Sequence, residues 1–223
     1  MSRIASVSLP SRMFAIVPAA GHSRRMGQPK LLLTLAGIPI IERLLTALDH
    51  SSITARHVVT RSADVALQAE VSRAGASLVI PTTDPPDMRT SVTLALAAIE
   101  RDFSPGDDDG WLLVPADHPV LDRNLIDIML SYWNAARPKI LVPRCGQRRG
   151  HPTLFRWSLT RELSRIPADR GLNWMLREYA ADVADLTVES DAAITDLDTP
   201  EDYARLKAKW EAGKVTAVHA ASD

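Results

Sequence analysis

Short apolar runs alternate along this chain with stretches in which apolar residues recur every three or four positions. Residues 14–20 (FAIVPAA), 56–60 (RHVVT), 77–80, 111–115 (WLLVP) and 139–142 read as buried strands. Between them, Ile38, Ile41, Leu44, Leu45 and Leu48 share one helical face, 63–74 is helical, and Val92, Ala95, Leu96 and Ile99 form a second stripe. Asp122 is placed to cap a third helix whose stripe is Ile126, Met129, Leu130 and Trp133. This βαβα order predicts an α/β protein, a three-layer α/β/α fold with a mainly parallel sheet and a ligand crevice at the carboxyl ends of the strands. The pattern breaks at 144–150, and 152–155 then reads as a half-buried extended piece, expected as an insertion or hairpin over the edge of the site.

With 223 residues and 46% hydrophobic composition, one domain over 13–213 is expected, with frayed tails at 1–12 and 214–223. The formal net charge is -1, yet residues 1–41 hold Arg3, Arg12, Arg24, Arg25 and Lys30 and no carboxylate. Charge so localised argues against a nucleic-acid partner and for one small anionic ligand. The single cysteine, Cys145, rules out an internal disulfide and suits a reducing, cytoplasmic setting. No apolar run approaches the roughly 18 residues of a membrane span. Asp107, Asp108 and Asp109, set among Pro105, Gly106 and Gly110, read as a solvated loop.

The chemistry gathers in GHSRRMGQPK at 21–30, directly after the first apolar run. Gly21 and Gly27 let backbone amides approach a phosphate, Ser23 offers a hydroxyl, and Arg24, Arg25 and Lys30 supply charge. A Walker A loop is excluded, because Lys30 stands three residues past Gly27. A dinucleotide fingerprint is excluded as well, since only two glycines are present. Asp117 follows the WLLVP strand and is free of capping duty once Asp122 takes it, so it is a candidate metal ligand. In DLDTPED at 196–202, Thr199, Pro200 and Asp202 form a helix-start signature, which leaves Asp196 and Asp198 unexplained. Two carboxylates drawn into one crevice would repel each other, and a bound cation would remove that repulsion.

AAGHSRRMGQPKLLL at 19–33 resembles the signature AAGxSxRMGxxK of nucleotidyltransferases with a glycosyltransferase-A-like fold, the MobA-like family. MRTSVTLAL at 88–96, VPADHP at 114–119, RGHPTLF at 149–155 and DLDTPEDY at 196–203 are similar to further family segments in family order. The branch most resembled is the molybdenum cofactor cytidylyltransferases. That resemblance implies transfer of CMP from CTP to the terminal phosphate of molybdopterin, with release of pyrophosphate. It places Ala19, Ala20, Gly21, Ser23, Arg25, Gly27, Lys30 and Ser91 at the nucleotide, with Ser91 near the base. Lys30, Arg25 and Asp117 become the catalytic set, and Asp117 with Asp198 the Mg²⁺ ligands, Asp196 being the reserve. Gly150 and His151 fall at the acceptor, while His118 stays outside the metal set. A molybdoenzyme or delivery chaperone is implied as partner. Use of GTP, a sugar phosphate acceptor, and a nucleotide-binding delivery protein without turnover are the alternatives.

Overall fold

A computed structural model describes residues 11–213; of the expected tails at 1–12 and 214–223, residues 1–10 and 214–223 lie outside the described residues. The first strand, β1 (Met13–Pro18), shows why the sheet is covered on both sides. Met13, Ala15 and Val17 point into one core, whereas Phe14 and Ile16 point into the other. The two-residue period of an extended chain places alternate side chains on opposite faces, so a strand apolar throughout must be covered twice.

The remaining strands are β2 (Thr34–Leu35), β3 (Ile38–Pro39), β4 (Ile53–Val59), β5 (Ser77–Val79), β6 (Gly110–Leu113), β7 (Ile140–Cys145), β8 (Arg148–Arg149), β9 (Thr153–Arg156) and β10 (Val183–Thr187). The main sheet runs β10-β7-β9-β6-β1-β4-β5, with β8 paired to β7, and β2 and β3 form a separate hairpin. β1 lies parallel to both β4 and β6, β4 to β5, and β7 to β10. Only β9 and β8 run against their neighbours. The helices are α1 (Ile40–Ala47), α2 (Val65–Arg73), α3 (Met88–Phe103), α4 (Arg123–Ala136), α5 (Asn173–Glu178) and α6 (Pro200–Glu211). α1, α2, α4 and α6 contribute to one core and α3 and α5 to the other, which gives the three expected layers.

The capping chemistry read from the sequence is present. Asp122 accepts from the Leu125 amide at 2.8 Å, and Thr199 and Asp202 exchange both bonds of a capping box with Pro200 in the first turn. Helix α2 starts later than expected, because the Asp64 carboxylate is taken by Arg61, at 2.8 and 2.6 Å, and leaves the helix N-terminus without a side-chain cap.

Three expectations are corrected. Ile38 belongs to the β2–β3 hairpin, and α1 begins only at Ile40. The segment after residue 152 is no flap over the site: Thr153, Leu154 and Phe155 are buried in β9, a central strand wedged between β6 and β7. Asp109 is not solvated but buried, where it accepts from the amide, Nε and Nη2 of Arg12 and from the Gly106 amide. Arg12 is accordingly anchored and is no part of a frayed tail.

Candidate functional site

The carboxyl ends of β1 and β6 open into a cavity of about 470 Å³. Its wall on the β1 side is the signature loop, tied to the sheet where the Ala19 amide donates to the Val59 carbonyl at 2.8 Å. Ala19, Ala20, Gly21, Ser23, Arg25 and Lys30 all line this cavity, as do Ser91, Asp117 and Asp198. Gly27 does not, and it faces a neighbouring cavity between the loop and the start of α2. Its φ of +69° closes the turn in which the amides of Met26 and Gly27 donate to the Ser23 carbonyl. A methyl group built on Gly21 meets nothing within 4 Å, so the fold itself has no steric need for glycine there and the space is left to a ligand.

Lys30 is the centre of the arrangement. Its Nζ donates to Asp117 Oδ2 at 3.2 Å, to Asp198 Oδ1 at 3.1 Å and to the Leu197 carbonyl at 2.8 Å, which uses all three protons of the ammonium. Asp117 and Asp198 are brought together through the main chain, since the Leu197 amide donates to the Asp117 carbonyl at 2.9 Å. Arg25, largely exposed, reaches Asp198 Oδ2 at 2.9 Å. Lys30 is thus a cation of the chain itself placed between the two carboxylates. Asp196 is exposed and outside the cavity lining, so of the two alternatives it is Asp198 that reaches Lys30.

Ser91 is buried and its hydroxyl donates to the Asp87 carbonyl at 3.2 Å. Asp87 caps α3, and the Thr90 amide holds its carboxyl below the usual range. Gly150 and His151 do not line the cavity. A Cβ on Gly150 would meet the Ala193 carbonyl oxygen at 2.1 Å, and the His151 amide donates to that carbonyl at 2.7 Å, so this pair is explained by packing against the turn at 191–194. The His151 ring lies 5.2 Å from that of His118. Burial, with His118 beside it, pushes His151 down to about 4, and burial lowers His118 against the opposing pull of Asp117 and Asp196. Both rings are thereby neutral near pH 7.

Sequence reasoning left Arg24 out of the nucleotide set and passed over Pro85 and Pro86, yet all three line the cavity. A residue just ahead of a helix carries no local signal of the loop it will face. The cavity wall holds three cations (Arg24, Arg25, Lys30) and three carboxylates (Asp87, Asp117, Asp198), a balance of zero. A polyphosphate would enter such a site with its own divalent counter-ion, and two hard oxygen donors beside phosphate oxygens and water suit Mg²⁺. Among the described residues no cluster of three or more His, Cys, Asp or Glu side chains forms a protein-only metal cage. The donor set fits a nucleotide-borne ion.

A sheet of this order with such a crevice defines the nucleotide-diphospho-sugar transferase class of fold. The chain belongs to the MobA-like NTP transferase domain family, which matches residues 15–183. It is similar to the 2-C-methyl-D-erythritol 4-phosphate cytidylyltransferase of Nitrosospira multiformis, 33% identical over 122 residues that make up 53% of either chain. The match spans about half the length of that curated relative. Among solved structures, Rv0371c from Mycobacterium tuberculosis H37Rv is 24% identical with a TM-score of 0.75, covering 90% of this chain and 99% of its own. Its complex with manganese is 23% identical with a TM-score of 0.70, covering 89% and 99%. CMP:2-keto-3-deoxy-manno-octonic acid synthetase, solved with CTP, shares the fold at 13% identity and a TM-score of 0.72, covering 91% and 100%. No helix among the described residues is long and apolar enough to cross a membrane.

Proposed function

We propose that this protein transfers CMP from CTP to the terminal phosphate of molybdopterin or molybdenum cofactor and releases pyrophosphate. The observation that carries the reading is Lys30 held between Asp117 and Asp198 at the mouth of a cavity walled by the signature loop. An oxygen of the acceptor phosphate attacks the α-phosphorus of CTP, and the bond from that phosphorus to the bridging oxygen breaks. The attacking phosphate is already ionised near pH 7, so the site needs no general base; alignment and charge neutralisation suffice. Backbone amides of 20 and 21 and the open face of Gly21 receive the nucleotide. Lys30 and Arg25 turn from carboxylate to phosphate and neutralise the charge that builds on the leaving pyrophosphate. Asp117 and Asp198 would hold a Mg²⁺ ion, which supplies further neutralisation of the phosphates when bound.

CTP is favoured over GTP because Pro18, Ala19 and Ala20 ahead of Gly21 resemble the cytidylyl entry and the curated relative is by name a cytidylyltransferase. The pterin acceptor, and with it a receiving molybdoenzyme or delivery chaperone, rests on the motif resemblance. That same relative favours a second reading, transfer of CMP to a small polyol or sugar phosphate. The test is pyrophosphate release from each of four nucleotides against molybdopterin, molybdenum cofactor and a panel of sugar phosphates. Release with CTP and the pterin alone is expected. Release only with a sugar phosphate moves the assignment to the second reading, equal or better use of GTP removes the base assignment, and binding without release under any pairing leaves a delivery protein.

A further inference from the structure

Helix α6 begins two residues after Asp198, and of its twelve residues only Leu206 is fully buried. Apolar packing alone is a weak anchor for such a helix. Polar contacts hold it at both ends instead. In its first turn Tyr203 Oη donates to the Thr34 carbonyl at 2.6 Å. In its last turn the Trp210 ring lies 4.3 Å from Cζ of Arg43, a buried guanidinium whose Nε and Nη2 donate to the Leu35 carbonyl at 3.0 and 2.5 Å. Arg43 forms no salt bridge among the described residues; its partners are that carbonyl and the indole face.

Thr34 and Leu35 form β2, which follows the 3-10 turn Lys30–Leu32 after a single residue. The chain therefore has little slack on either side. From Lys30 to Thr34 the turn is closed by the Leu33 amide on the Lys30 carbonyl. From Asp198 to Tyr203 it is locked by Asp202, whose Oδ2 accepts from the amides of both Asp198 and Thr199. A shift at the Tyr203–Thr34 contact is passed to the backbone at Asp198 and Lys30, because both connecting segments are closed by hydrogen bonds, and it changes the approach of the two side chains.

We infer that Tyr203 is a positioning residue whose hydroxyl, held on the Thr34 carbonyl, sets the approach of Asp198 to Lys30. The inference rests on the reading of that site as a nucleotide site. Tyr203→Phe removes one oxygen and keeps the ring. Two readouts follow in the full chain. The first is the dissociation constant of CTP with Mg²⁺ by calorimetry, expected to rise about fivefold, the scale of one lost hydrogen bond. In an Asp198→Asn background the same substitution should add nothing, because the residue acted through is gone. The second readout needs no nucleotide: the rate at which an amine reagent labels Lys30, read by peptide mass, should rise severalfold while Lys139 stays constant. The melting temperature should fall by no more than about 4 °C.

Unchanged CTP affinity together with unchanged Lys30 labelling would overturn the proposal. So would a loss of affinity that persists undiminished beside Asp198→Asn. Should the wild type bind no CTP, the nucleotide reading falls by itself, and Lys30 labelling alone then decides for or against Tyr203.

Discussion

Two clusters of cations and carboxylates sit at opposite ends of β1, and they are built to different purposes. Ahead of the strand, Arg12 clasps Asp109, donating from its amide at 2.7 Å, from Nε at 3.0 Å and from Nη2 at 2.7 Å, while Gly106 adds a fourth donor at 2.9 Å. Two of the three remaining guanidinium protons go to the Phe103 and Ser104 carbonyls. Beyond the strand, Lys30 shares Asp117 and Asp198, whose side chains keep 30% and 38% of their exposure. Each cluster sets a basic side chain against aspartate. A carboxylate whose lone pairs are all taken inside the protein can only hold the fold together, whereas one with lone pairs facing a cavity can exchange partners with a ligand. The first cluster should therefore answer to tests of stability and the second to tests of turnover.

The largest effect expected is in the open cluster. Asp117→Ala or Asp198→Ala should lower Mg²⁺-dependent transfer by about a thousandfold, roughly 4 kcal/mol of transition-state stabilisation. Lys30→Ala should lower it by more than about tenfold. Melting points should move little, because the remaining members stay partly solvated; a mutant of this set with wild-type turnover breaks the contrast at once. Asp109→Ala is the counterpart at the closed end. It strands the Arg12 guanidinium and the Gly106 amide, and should cost about 3 kcal/mol in denaturant unfolding. Turnover per folded molecule should stay within about twofold, and a larger fall would show that the closed cluster also serves the site.

Acid should separate the two ends again. His151 is held near 4 in the folded protein against about 6.5 when unfolded, so between those values the unfolded chain binds the extra proton. Stability is then complete above pH 6.5, falls as the pH drops toward 4, and loses nothing further to this group below that. About 3 kcal/mol is expected over the window, and His151→Gln should flatten that slope in melts run from pH 7.5 to 4. An unchanged slope would place the acid sensitivity elsewhere. The smallest effect belongs to Arg25→Ala. Its ion pair with Asp198 is exposed and contributes under about 1 kcal/mol, so the melting point should not move while the KM for CTP rises severalfold.

The helix and strand order, both caps and the signature loop were legible in the sequence because each depends on neighbours within a few residues. The Asp122 cap and the Thr199 box could be read from spacing alone. The misreadings share a cause. Asp109 looked solvated among glycine, proline and two further aspartates, and its burial depends on Arg12, which is 97 residues away. Likewise 152–155 read as a half-buried piece over the site because a four-residue strand carries no mark of the two neighbours between which it will sit. The close approach of the Ala193 backbone to Gly150, 43 residues earlier in the chain, is likewise unannounced by spacing.

By itself, then, the sequence determined that this is a layered α/β chain with a phosphate-suited loop at a strand end, and it marked Lys30, Asp117 and Asp198 as residues to watch. Periodicity and capping are local, and the chain writes them in plain order. Only the tertiary structure decided that Lys30 lies between the two carboxylates, that Asp198 rather than Asp196 reaches it, and that Tyr203 ties the two segments. Those contacts join residues 87 to 169 positions apart. Their distances follow from how the sheet twists and how α6 packs on the β2–β3 hairpin, which no spacing along the chain encodes.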